Sequence, residues 1–90
     1  MKHPDRIARY PGSLADLAGE VGDLRYDALA EFLHALSSKL ASDSEKDGAR
    51  GRARLAASLQ RASTLIADAA RETETTWKIC APHMRGDDKP

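Results

Sequence analysis

Apolar positions along this 90-residue chain recur at helical spacings, and no stretch alternates with period two. Leu14, Leu17, Val21 and Leu24 follow one another at intervals of three, four and three. Ser13 stands before them with Asp16 three residues on, a weaker relative of the Ser-x-x-Glu capping box. This predicts a short helix near 13–21, ended by Gly22, with Asp23 capping the next helix. Tyr26, Leu29, Leu33, Leu36 and Leu40 form a second seam at alternating spacings of three and four. Periodicity stops at "SDSEKDG", and Gly48 and Gly51 place a turn there, with the second helix running to about Lys46. Leu55, Leu59, Ala62, Ile66, Ala69, Thr73, Trp77 and Cys80 make the seam of a third helix over roughly 50–81. Pro82 lacks a donor and disfavours helix before it, so the helix is expected to stop at Ala81.

These elements predict an all-α fold, a small three-helix bundle built on a long antiparallel hairpin with a short N-terminal helix. Residues 1–12 read as an irregular arm with Ile7 and Tyr10 packed on the bundle, 13–84 as one helical domain and 85–90 as a flexible tail. At 1.5 Å per residue the third helix spans about 45 Å and the second about 33 Å. The excess is matched by the first helix lying near the far end of the third. Whether helices one and two are separate or one kinked rod is left open by the pattern. Leu65 and Ile79 lie beside the third helix's main seam as a second apolar edge. With Trp77 they are the candidate interface residues.

Composition sharpens the picture on one point. Aromatics are only 4% of the chain and Ala and Leu carry most of the apolar content, so a lone core is thin. Self-association as a homodimer, or pairing with another helical protein, would add the missing buried area. Charged residues are 31% of the chain but cancel to a formal net charge of zero. That argues against a wholly basic nucleic-acid binder. A single cysteine excludes an internal disulfide, and no apolar run reaches the roughly 18 residues of a membrane span. The N-terminus has no apolar signal region, so a cytoplasmic protein without membrane contact is expected.

Three polar stretches invite chemistry. "WKICAPHM" brings Cys80 and His83 within three residues, a soft-metal pair in type. Yet Cys80 continues the seam as a small buried hydrophobe, and His83 and Met84 are expected past the helix end. "EFLH" gives Glu31 and His34 the Glu-x-x-His spacing of di-iron bundles. Both are expected on the solvent face, off the leucine seam. "ARGRAR" crowds Arg50, Arg52 and Arg54 at the start of the third helix, against its dipole. These are the anion-binding candidates, with nucleic acid possible but disfavoured. Asp43, Glu45 and Asp47 crowd the end of the second helix just as unfavourably, so the two sets are expected to pair across the hairpin turn.

No paired carboxylates sit in an apolar setting, and no nucleophile triad or Gly-rich phosphate loop is present. The reading is a non-enzymatic helical interaction module or small accessory subunit, needing no cofactor. The alternatives are anion or nucleic-acid binding through the three arginines, and a metal-binding bundle using Cys80 and His83. The chain as a whole resembles small bacterial helical-bundle proteins without the motifs of a particular family.

Overall fold

The computed structural model describes residues 3–87, with side chains up to His83. Three helices follow in order: α1 (Leu14–Gly22), α2 (Tyr26–Ala49) and α3 (Ala53–Asp87). Every described residue outside them is loop, cap or turn, so the chain is all-α and built on the α2–α3 hairpin.

The caps show why the breaks fall where they do. Ser13 Oγ accepts from Asp16 N at 3.0 Å and Asp16 Oδ2 accepts from Ser13 N at 3.1 Å, a complete reciprocal box despite the shorter acid. Asp23 caps the C-terminus of α1 instead of starting α2; its N–H reaches the carbonyls of Gly19 and Glu20. Arg25 is the N-cap of α2, and no side chain caps that end. Asp27 takes over part of the task, accepting from the Ala28 N–H at 2.9 Å. Helices one and two are thus separate. The hairpin turn closes at Gly51, whose φ of 80° lies in the left-handed region that glycine enters without a Cβ penalty.

Two larger expectations also fail here. The third helix does not stop at Ala81; it passes through Pro82 to Asp87, taking His83 and Met84 with it. Proline removes the N–H that would bond Lys78 O. Lys78 and Pro82 are both exposed, so solvent can take that carbonyl. Of the expected tail, residues 85–87 belong to α3 and 88–90 lie outside the described residues.

The second correction concerns the seam. The deepest positions of α2 are Ala30, Ser37 and Ser44; those of α3 include Ser63 and Ala70. Within each helix these recur every seven residues, and across the hairpin Ser37 meets Ser63 while Ser44 meets Ala56. Facing residue numbers therefore sum to 100, which sets Ala30 opposite Ala70. The leucines expected at the centre flank this stripe instead. Leu33, Leu40, Leu59 and Ile66 are half-buried, and Leu36 and Leu55 are exposed. At about 100° per residue, both expected seams are rotated by roughly 60–75° from the stripe that is buried. The cause is steric: small residues let two helix backbones approach until a serine hydroxyl reaches the opposite carbonyl.

Among the described residues no large side chain is fully buried, and Ala30 and Ala70 are the only buried apolar ones. The first helix buries none of its residues. It stands as an appendage to the hairpin, and the arm runs from α1 toward α2, where His3 lies close to Asp43. Tyr10 Oη donates to Glu20 Oε2 at 2.7 Å, while Ile7 remains 48% exposed. The molecule measures 53 × 30 × 13 Å along its principal axes. It is one helix thick, where domains are built of two or more layers.

Candidate functional site

The two long sides of the hairpin differ in kind. On one, His34 Nε2 and Glu74 Oε2 meet at 2.9 Å across the helices. Sequence reasoning put Glu31 and His34 in solvent; Glu31 is exposed, but His34 is half-buried by this bridge. Its partner could not be seen without the register, because Glu74 lies 40 residues away.

On the other side, helical periodicity places Leu29 and Leu36 from α2 with Leu55 and Ala62 from α3, while Leu65 and Ile79, about 160–200° around the helix from Ser63, stand on the outer edge of α3 and Phe32 turns toward that of α2. This is the side toward which both expected seams were rotated. Leu65 and Ile79 are each 68% exposed, and Phe32, Leu36 and Leu55 also stand in solvent. Both exposed interface candidates stand at the outer edge of α3, and the spread of exposed apolar residues across both helices was not foreseen.

The third interface candidate, Trp77, is half-buried at the open end of the hairpin. The Arg25 guanidinium lies over its ring at 5.3 Å from the centroid, a cation–π contact. Arg25 also donates to both Asp27 oxygens, at 2.7 and 2.9 Å. That hydrogen bond holds the Asp27 carboxyl below its ordinary value of 3.8.

The charged turn is partly self-compensating, as expected. Arg52 Nη1 donates to Asp47 Oδ1 at 3.3 Å, and the Arg52 N–H bonds Asp47 O at 2.9 Å. Asp43 pairs within α2 instead, accepting from Lys39 Nζ at 2.6 Å, and this bond lowers its pKa. Arg50 caps α2 through its backbone, with its N–H on Lys46 O and Asp47 O. Arg54 borders an open depression with Leu55, Ala57, Ser58 and Arg61. The three arginines are exposed and do not converge on a common enclosed point.

Cys80 is half-buried on α3, and His83 follows on the same helix, exposed. Among the described residues no three His, Cys, Asp or Glu side chains group so as to hold a metal ion. No helix among them is long and apolar enough to cross a membrane. Comparison of the chain with protein-family models, curated proteins and solved structures finds no match.

Proposed function

We propose that this chain is a non-enzymatic helical interaction module that works by offering one apolar side of its hairpin to another helical surface. One observation carries the reading: a hairpin one helix thick exposes Phe32, Leu36, Leu55, Leu65 and Ile79. Contiguous apolar patches of several hundred Å² on small proteins mark interaction sites. The surface area supports the same reading. The accessible surface is 7052 Å² for a 9.8 kDa chain, against about 5,200 Å² for a compact monomer of that mass. The difference of roughly 1,900 Å² exceeds the ~800 Å² each partner gives to a standard interface.

A photo-crosslinking residue placed at Leu65 or Ile79 in the producing cell tests the reading. Discrete covalent adducts are expected from both positions. The same residue at exposed Gln60, on the His34–Glu74 side, should give none. If positions 65 and 79 give no more adduct than position 60, the reading fails.

A further inference from the structure

We infer that the occupant of this apolar side is a second copy of the chain, turned end for end, so that two hairpins form a four-helix bundle with its two-fold axis beside Ser37 and Ser63. The inference rests on the interaction reading above and adds the partner and its orientation.

Charge selects both. Residues 38–62, the half of the hairpin next to the turn, carry six Lys or Arg and three Asp or Glu, a net of +3. The open half, 26–36 with 64–81, carries two basic and five acidic residues, a net of −3. The whole chain is neutral because its ends are opposite. Glu74 and most of the other open-half acids face the opposite long side, so the choice falls to charges at the outer edges. A copy stacked with turns together lays α2 on α3, with Lys46 level with Arg54 and Lys39 level with Arg61. A copy turned end for end lays α3 on α3, with Arg54 level with Glu72, which favours that orientation. An isologous two-fold contact is also the commonest way for a single chain to cover its own patch.

The apolar residues agree with this axis. Leu36 and Ala62 lie one residue from the Ser37–Ser63 level on either side. Leu55 lies eight residues from that level toward the turn, and Leu29 eight residues toward the open end. End-for-end pairing therefore puts Leu55 of one chain in the same layer as Leu29 of the second copy. Asp43 falls on this side too, and its bond from Lys39 partly neutralises it. Along α3, Arg54 and Glu72 lie nine residues on either side of Ser63. The axis brings Arg54 of one chain level with Glu72 of the other, twice per dimer.

Sedimentation equilibrium of the purified full chain at low salt tests this, using wild type, Arg54→Glu, Glu72→Arg and the double exchange. Wild type should reach twice 9.8 kDa. Either single change should weaken the dimer by about tenfold, and the double exchange should recover most of that loss. Circular dichroism of each variant checks that it remains helical. A wild-type monomer at every concentration overturns the inference. So does a dimer whose single variants are not rescued by the double exchange. If the purified chain stays monomeric while Leu65 and Ile79 adducts to other proteins persist, self-pairing falls and the interaction reading stands. If those adducts are missing too, both fall.

Discussion

Replacing Ser63 by leucine is expected to destabilise this protein, although it adds an apolar side chain to a helix seam. Ser63 is 4% exposed and Ser37 8%. Each hydroxyl donates to the other residue's carbonyl at 2.8 Å, with the two Oγ atoms 3.1 Å apart. One hydrogen per hydroxyl suffices for these two carbonyl bonds. The accepting carbonyls lie in mid-helix, where each already takes an i+4 N–H, so losing a serine orphans no acceptor. Ser63→Ala or Ser37→Ala should therefore cost about 1 kcal/mol, the ordinary net value of one such bond. Leucine at 63 cannot fit between backbones this close. It would push the helices apart, break both serine bonds and add an overpacking cost of about 1–3 kcal/mol. The total, roughly 3–5 kcal/mol, is a large share of the 5–15 kcal/mol typical of a domain. A leucine-centred seam gives the opposite sign, since burying a leucine would add about 1.5–3 kcal/mol. Urea unfolding followed by circular dichroism, at one fixed protein concentration, separates the two. A Ser63→Leu variant as stable as wild type would refute the close-approach argument.

Other outcomes follow from the same geometry. Gly51→Ala forces a Cβ into φ of 80° and should cost about 1–2 kcal/mol, with Gly51→Asn milder; thermal melts read the difference. Ser13→Ala removes the α1 cap at a cost of about 1 kcal/mol to that helix. Because α1 buries nothing, hydrogen exchange should quicken in 14–22 while the global melting temperature holds. Leu36→Glu sets a carboxylate of each chain one residue from the axis and should weaken self-association by at least tenfold in sedimentation, since Leu36 stands in solvent in the single chain. Folding lowers the Asp27 pKa through its bond from Arg25. That stabilisation is complete above the unfolded value near 3.8 and fades as pH falls through the folded value. A carboxyl NMR titration should show Asp27 moving back up in Arg25→Ala, and an unchanged midpoint would remove the link.

Much of the fold is legible in the sequence because it rests on local rules. The capping serine, the glycine at the turn and the apolar periodicity each act within a few residues. What escaped is tertiary. Leucine seams announce where apolar area lies, but not which part of it two helices choose to bury together. Here three small residues seven apart, Ala30, Ser37 and Ser44, gave the closest approach and left the leucines at one side. Their serines read as polar surface in the sequence, since only the opposite carbonyls make them acceptable inside. Pro82 misled for a related reason, because the break it demands falls on an exposed turn where its cost is small. Leu65 and Ile79 were visible as a second edge.

The end-for-end dimer is tested most directly by a distance between spin labels at position 49, using Ala49→Cys in a Cys80→Ser background. Residue 49 lies twelve residues from the axis at Ser37, or about 18 Å along the helix. Two labels about 36 Å apart are expected, with the signal diluted away by unlabelled chain. A separation under about 20 Å would mean the turns lie together, and no dipolar signal at dimer-forming concentrations would mean a second copy does not cover the apolar side.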